Sequence, residues 1–347
     1  MKDYSGSPDF ECLRKVLYGG KADHVPLIDL FHDIEIKTGL LGRELFTLED
    51  DIEFYMKAGY DYYGFLMEFD FYGDKWPGKL DKFDIIKAKN IDRSKKSISR
   101  TYKGVIDTLE AAEKHSWPKI QDMDFSKAEK ASKLIPSGAR LIPWTRGIFE
   151  TVNEMVGYEN YCIMLYEEPE LLEFLHDRVG ELKIQLFNNL AEINNVGALW
   201  IGDDLGYTEG LLFPPSFMEK LLFPYYRKLG EICRKKNIPL ILHSDGRLYE
   251  IIDSLIDCGF NAIHPLEPKA MDPLKLQEMY GGKLGLLGNI DLDILSRGSP
   301  DEIRKMVRNN MEKLGSKGGY AIGASNSVPY YVPVENFIAM IDEVKKQ

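Results

Sequence analysis

Eight short apolar segments recur along the sequence, and helical patterns separate them. The segments are VPLIDL from Val25, YDYYGFLM from Tyr60, ARLIPW from Ala139, ALWIG from Ala198, PLILH from Pro239, NAIHPL from Asn261, LGLLGNI from Leu284 and GYAIGAS from Gly319. Continuous apolar runs of this length are typical of parallel strands that are buried on both faces. The last four begin about 22 to 35 residues apart, the spacing of single strand–helix units. Because no GxGxxG turn follows the first segment, the pattern favours a single (β/α)8 TIM barrel over a doubly wound α/β sheet.

The interval after the second segment is longer than the others, so we predict an insertion at residues 71–138. Its stretch KSISRTYKGVIDTLE, from Lys96 to Glu110, alternates like an antiparallel hairpin that passes over the barrel mouth. The stretch SPDEIRKMVRNNMEKLG predicts a helix with Ser299 as its N-cap and Pro300 at its first position. We assign residues 1–347 to one domain.

Charge and composition narrow the class of partner. A net charge of -11 does not supply the clustered basic residues that bind nucleic acid, so we expect small-molecule substrates. The N-terminus lacks the apolar core of a signal peptide and no run of about 18 apolar residues occurs, which predicts a cytoplasmic protein without membrane contact. Four scattered cysteines indicate neither disulfides nor a cysteine zinc cluster. A homodimer is left open.

Polar residues follow all eight apolar segments, and barrel enzymes carry their catalytic groups at this end of the strands. They are Asp29, His32, Asp33, Glu68, Asp70, Arg146, Asp203, Asp204, His243, Asp245, His264, Glu267, Asn289, Asp291, Ser325, Asn326 and Ser327. Helix capping alone would account for Asp33, Asp204 and Asp291. Capping would not select three of the six histidines, so we expect an active site here.

His243 and Asp245 form the most informative pair. Residues two apart in a strand point to the same face, so both side chains should face the mouth, where His264 and Glu267 of the next strand could join them. This set has the ligand types of zinc and other first-row metals, and without a metal it could act as general acid and base. A metal site, metal-free chemistry and a structural polar network all remain open.

The candidates are assigned to three roles. Catalytic candidates are His243, Asp245, Asp204 and His264; metal ligands are His243 and Asp245; substrate-binding candidates are His32, Arg146, Glu267, Asn289, Ser325 and Asn326. Gly246, Gly288 and Gly323 lie at strand ends, where the absence of a side chain would let the backbone approach a ligand.

Several segments resemble the uroporphyrinogen decarboxylase superfamily, which also contains zinc-dependent, corrinoid-linked methyltransferases. They are RGIFETVNEMVGYENY, IGDDLGYTEGLLFPPSFMEKLLFPYYRKL, LHSDGRLYEIIDSLIDCGFNAIHPLEP, GKLGLLGNIDLDIL and SVPYYVPVENFIAM. The resemblance covers nearly the whole chain. It implies a (β/α)8 barrel with its site at the C-terminal mouth.

The two branches differ in their motifs. Decarboxylases of the superfamily carry an arginine-rich segment after the first strand, where this chain reads IDLFHDIEIKTG without arginine. The methyltransferases bind zinc through His-x-Cys after the fifth strand and a cysteine after the eighth. Here HSDG keeps His243 but has Asp245 in place of that cysteine, and GASNS has none.

The resemblance therefore implies a methyltransferase that moves a methyl group between a small donor, such as an ether or an amine, and a corrinoid on a partner protein. Zinc is implied if the altered ligand set still binds it. A metal-free decarboxylase and a non-catalytic ligand-binding barrel are the alternatives.

Overall fold

A parallel sheet of seven strands forms the centre of the molecule, as described by a computed structural model for residues 7–71 and 104–347. The strands are β1 (Tyr62–Leu66), β2 (Arg140–Arg146), β3 (Leu199–Gly202), β6 (Leu240–His243), β7 (Ala262–His264), β8 (Gly285–Ile290) and β9 (Tyr320–Ala324). They are hydrogen-bonded in the order β1-β2-β3-β6-β7-β8-β9, and every neighbouring pair is parallel. Their carboxyl ends therefore meet at one edge of the sheet, which we call the mouth.

Seven of the eight predicted strands are confirmed, and the first is not a regular strand. Residues 25–30 make one parallel bridge to β9, in which the Ile28 amide donates to the Ile322 carbonyl over 2.9 Å. Pro26 has no N–H to extend the ladder, which explains why the pairing stays short. The described residues thus form a seven-stranded sheet, where we expected eight strands.

Side chains, rather than a ladder, join this first segment to its neighbours. The buried Asp29 carboxylate accepts hydrogen bonds from the Ala324 amide (2.7 Å) and the Tyr60 hydroxyl (2.5 Å). The Tyr62 hydroxyl accepts from the Asp29 amide over 2.9 Å and donates to the Asp29 carbonyl. These contacts connect β1 to β9 through residues 25–30.

Helices cover the outer face of the sheet between successive strands. In the described residues they are α1 (Phe10–Leu17), α2 (Ile34–Leu41), α3 (Leu48–Ala58), α4 (Leu109–Lys114), α5 (Ser126–Leu134), α6 (Ile148–Val156), α7 (Tyr158–Glu167), α8 (Pro169–Leu190), α9 (Pro215–Leu221), α10 (Phe223–Lys236), α11 (Ile252–Cys258), α12 (Pro273–Tyr280), α13 (Leu292–Arg297), α14 (Pro300–Lys313) and α15 (Val334–Val344). The predicted start of α14 is confirmed, since Ser299 and Glu302 form a capping box with Pro300 at the first position. None of the helices in residues 7–71 and 104–347 has the length and apolarity needed to span a membrane.

The predicted insertion contains α4, a 3-10 turn at Ile120–Asp122 and α5 within its described part, residues 104–138. Residues 96–103 of the segment expected to form a hairpin lie outside the described residues, whereas residues 104–108 form a loop and Leu109 begins α4, so the expected second strand is not present there. A short antiparallel pair that we did not predict, β4 (Gly206–Tyr207) and β5 (Gly210–Leu211), follows β3 at the mouth.

Gly323 tests the contact that joins residues 25–30 to β9. A Cβ atom at Gly323 would lie 1.7 Å from the Ile28 carbonyl oxygen, so Gly323→Ala must push the two segments apart. We expect this substitution to lower the free energy of unfolding by about 3 kcal/mol, measured by urea denaturation.

Gly210→Ala is the matched control, because the nearest atom to its added Cβ is a Tyr207 ring carbon at 3.8 Å. Its free energy of unfolding should stay within about 0.5 kcal/mol of wild type. Equal stability of the two variants would contradict the described contact.

Candidate active site

The parallel register brings residues from three strands side by side at the mouth. His243, the last residue of β6, pairs with Gly202 of β3 on one side and with His264 of β7 on the other. The loops that follow these three strands therefore begin at the same height along the sheet. This explains why Asp204 and Asp245 lie close to the His243 ring.

Asp204, His243 and Asp245 form a compact group of three potential ligands. The His243 Nε2 atom lies 3.7 Å from the Asp204 Oδ1 atom and 3.8 Å from the Asp245 Oδ1 atom, and all three ligand atoms lie within 4.8 Å of one another. Asp204 also accepts a hydrogen bond from the Asp245 amide (2.9 Å), and the Asn326 side-chain amide donates to both Asp245 oxygens at 3.0 and 2.9 Å. The two carboxylates are thus held in a fixed orientation.

This group fits a divalent cation in both geometry and ligand type. Two ligands on a tetrahedral zinc ion lie about 3.4 Å apart, so the two separations from His243 Nε2 would need to close by only a fraction of an ångström, and all three ligand atoms lie within 4.8 Å of one another. One imidazole and two carboxylates form a harder ligand set than one that includes thiolates. With three protein ligands, a fourth position would stay open for a substrate, as in catalytic zinc sites.

His264 contacts His243 directly beneath this group. The Nδ1 atoms of the two rings lie 2.8 Å apart, and burial lowers the pKa of both imidazoles, that of His264 by the larger amount. The nearby Asp204 carboxylate opposes the effect of burial on the pKa of His243. His264 Nε2 is buried and has no hydrogen-bond partner in the described residues, and its ring stands edge to face against Trp200 at 5.0 Å.

Glu267 and Glu150 add two carboxyl groups near the ligand group. Burial, and secondarily repulsion from Asp204, raises the pKa of Glu267, although its carboxylate accepts a hydrogen bond from the Gly246 amide over 3.0 Å. Burial raises the pKa of Glu150 well above its usual range, and Asp204 adds to the shift. Sequence reasoning missed Glu150, because it lies inside α6 rather than at a strand end.

A cleft of about 200 Å³ lies near the loop that carries Asp245, because two of its lining residues contact that loop: Asn326 donates to Asp245, and Glu267 accepts from the Gly246 amide. Its lining includes Glu267, Ser325, Asn326, Thr208 and the start of α13. Three predicted substrate-binding residues, Glu267, Ser325 and Asn326, therefore line this cleft.

Asn289 and Arg146 do not line this cleft, and Ser325 has a structural contact in addition to lining it. The Asn289 side chain donates to the Leu266 carbonyl over 3.0 Å, and the Ser325 hydroxyl accepts from the Leu292 amide at the start of α13. Arg146 forms a 2.8 Å ion pair with Glu154. Of these three residues, only Arg146 has a partly exposed side chain.

His32 is enclosed and does not face the mouth. Its Nε2 atom lies 2.8 Å from the Tyr60 hydroxyl, and its ring packs edge to face against Phe54, Tyr55 and Phe337. The side chain has no exposed surface, and burial lowers its pKa. The expected contact with substrate is therefore replaced by a packing role between α3 and α15.

The three strand-end glycines approach protein backbone, where we expected them to approach a ligand. A Cβ atom on Gly246 would lie 2.3 Å from the Tyr207 amide nitrogen, and one on Gly288 would lie 2.7 Å from the Ala324 carbonyl. Gly246 also has a positive φ of 86°, which disfavours other residues. Its close contact fixes the β4–β5 hairpin against the loop that carries Asp245.

The comparisons identify the family of this fold and site. The model of the uroporphyrinogen decarboxylase (URO-D) family matches residues 110–347. The chain belongs to this family. Uroporphyrinogen decarboxylases of Geotalea daltonii and Alkalilimnicola ehrlichii are 27% and 24% identical to it over 188 and 216 residues.

These matches cover 53% and 58% of this chain but only 51% and 54% of the relatives, so the aligned region spans about half the length of the decarboxylases. A methyltransferase from Methanosarcina mazei has the same fold with a TM-score of 0.69 and 18% identity, covering 96% of this chain and 97% of that one. The resemblance stated from the sequence is confirmed. The curated relatives are named uroporphyrinogen decarboxylases and the structural neighbour is named a methyltransferase, so family membership and fold do not choose between the two activities.

Asp203, next to Asp204 in this URO-D family member, has a structural role that its position did not reveal. Its fully buried carboxylate accepts from the first three amides of α6 at 2.8, 3.1 and 2.8 Å and from the Tyr226 hydroxyl at 2.5 Å. Burial raises its pKa to about 6, and the four donors that surround its oxygens favour the ionised form. Gly147 is the sequence feature that could have indicated this role of Asp203, because a glycine before α6 has no side chain that could cap the helix.

We expect Asp203→Asn to lower the free energy of unfolding by about 3 kcal/mol, because an amide would leave buried N–H and O–H donors without an acceptor. Urea denaturation at pH 7 measures the change. Asp204→Asn, the same substitution one residue later, should cost less than about 1 kcal/mol, since it also relieves repulsion between carboxylates. A larger cost for Asp204→Asn than for Asp203→Asn would contradict these assignments.

Proposed function

We propose that this protein is a methyltransferase that moves a methyl group between a small-molecule donor, such as an ether or a methylated amine, and a corrinoid carried by a partner protein. A divalent cation held by Asp204, His243 and Asp245 assists the reaction. The proposal includes residues 25–30 as the eighth segment of a closed barrel. The observation that carries it is the convergence of three metal-ligand side chains within 4.8 Å at the strand ends.

The ligand types indicate the kind of donor. When bound, a cation with oxygen and nitrogen ligands supplies a Lewis acid that withdraws electrons from an ether oxygen or an amine. This suits the activation of a methyl donor better than the activation of a thiol acceptor, for which thiolate ligands are suited. Asn326 supports this role by holding the Asp245 carboxylate in place with two hydrogen bonds.

The cleft next to Asp245 is the proposed place for the donor. Glu267 and Asn326 lie on its wall, so polar groups can orient a small molecule beside the ligand group. Glu267 is partly buried and has a raised pKa, so its carboxyl group can hold a proton and donate it to the demethylated product. In this proposal the corrinoid approaches the methyl carbon from the strand-end side, where the ligand group lies.

A uroporphyrinogen decarboxylase is the second candidate, because the curated relatives carry that name. Carboxyl groups at the mouth weigh against it, since Asp204, Asp245 and Glu267 would repel a polycarboxylate substrate. IDLFHDIEIKTG contains one lysine and no arginine, and that residue, Lys37, forms a salt bridge with Asp51. This candidate requires no cation.

Metal binding is the first test. The purified protein should bind one equivalent of Zn²⁺ or Co²⁺ in equilibrium dialysis with elemental analysis, and His243→Ala and Asp245→Ala should each weaken binding at least about 100-fold. His24→Ala is the matched control, because it removes an exposed histidine before the sheet and should bind like wild type. Wild-type protein without a binding equivalent would rule out the metal-assisted reaction.

Methyl transfer is the second test. Under anaerobic conditions the metal-loaded protein should convert cob(I)alamin to methylcobalamin with one donor from a panel of aryl methyl ethers and methylated amines. Asp245→Ala should lower the rate at least about 100-fold, which corresponds to the several kcal/mol that Lewis-acid assistance provides. Release of CO₂ from uroporphyrinogen without added metal, together with no methyl transfer, would favour the decarboxylase.

A further inference from the structure

The contact between His243 and His264 restricts where their protons can be. Two nitrogen atoms 2.8 Å apart form a hydrogen bond only when one carries a proton and the other does not. Both rings are buried, and a neutral imidazole has one N–H group. The pair therefore has two arrangements, in which either His264 or His243 is the donor.

The two arrangements differ in whether the His243 Nε2 atom, which faces Asp204 and Asp245, carries a proton. When His264 donates, the proton of His243 is on Nε2, directed at carboxylate oxygens 3.7 and 3.8 Å away. When His243 donates, its Nε2 atom has a free lone pair. Carboxylates alone favour an N–H group at this position, whereas a metal ion between them requires the lone pair.

His264 differs from the usual partner of a metal-binding histidine. That partner is most often a carbonyl or carboxylate, which can only accept and so fixes one arrangement. An imidazole can both donate and accept. The other nitrogen of His264, Nε2, is buried against the Trp200 ring, and no hydrogen bond from the described residues fixes its protonation.

We propose that His264 is a positioning residue that switches His243 between these arrangements, donating to it in the metal-free protein and accepting from it when a cation binds at Nε2. This inference rests on the proposed metal site. The protons balance as the cation enters: one leaves His243 Nε2 for solvent, one crosses from His264 to His243, and one from solvent joins His264 Nε2. The histidine pair stays neutral throughout.

Nitrogen-15 NMR of wild-type protein labelled in its histidines tests the switch directly, because protonated and bare ring nitrogens give distinct signals. Spectra at neutral pH with and without one equivalent of Zn²⁺ are compared, and His264→Asn identifies the His264 signals. We expect zinc to convert His264 Nε2 from bare to protonated, although this atom does not contact the ion.

Zinc that binds, by elemental analysis, while His264 Nε2 keeps its state would overturn the switch and leave the proposed function intact. A His264 Nε2 atom that is already protonated without zinc would do the same. Failure to bind zinc would overturn the proposed metal site and the switch together.

Two variants provide an independent measurement through zinc affinity. The side-chain amide of His264→Asn can turn either its oxygen or its nitrogen toward His243, so affinity should stay within about threefold of wild type, whereas His264→Leu should lose about 10- to 100-fold. Thermal unfolding confirms that each variant is folded. Equal zinc affinity of the wild type and both variants would contradict the proposal, and the labelled wild-type protein decides the matter if the leucine variant does not fold.

Discussion

The pairing of β6 with β3 and β7 is the constraint on which the site depends. It places His243 between Gly202, which has no side chain, and His264, whose ring can reach it. Gly202 leaves room on one side, and His264 fills the other. A shift of one residue in either pairing would turn the imidazole away from the carboxylates, because side chains alternate between the faces of a strand.

Asp203 and Asp204 are adjacent in the loop after β3, but their carboxylates have different contacts. Asp203 turns inward and satisfies the first amides of α6, while Asp204 turns toward His243 and the mouth. Consecutive residues at the end of a strand point in opposite directions, so two adjacent aspartates can have different contacts. The buried aspartate holds α6 against the sheet, and the outer one contributes to the ligand group.

Much of the fold could be predicted from the sequence, since a strand buried on both faces must be apolar throughout. The exception, residues 25–30, has the right composition, but Pro26 and the contacts of Asp29 decide its pairing. At the site, the expected proximity of His243 and Asp245 agrees with the 3.8 Å between Nε2 and Oδ1, although β6 ends at His243 and Asp245 lies in the loop beyond the strand. The burial of His32 could not be predicted, because it depends on aromatic residues of α3 and α15 that are distant in sequence.

The two hydrogen bonds from Asn326 to Asp245 join residues 81 positions apart. During synthesis, Asp204, His243 and Asp245 are all made before the residue that orients one of their carboxylates. A growing chain therefore carries the ligands before it has their final geometry. The Asp245 carboxylate reaches its final orientation only when β9 and Asn326 join the sheet, so an ion bound there as proposed would meet the final geometry only after most of the domain has been assembled.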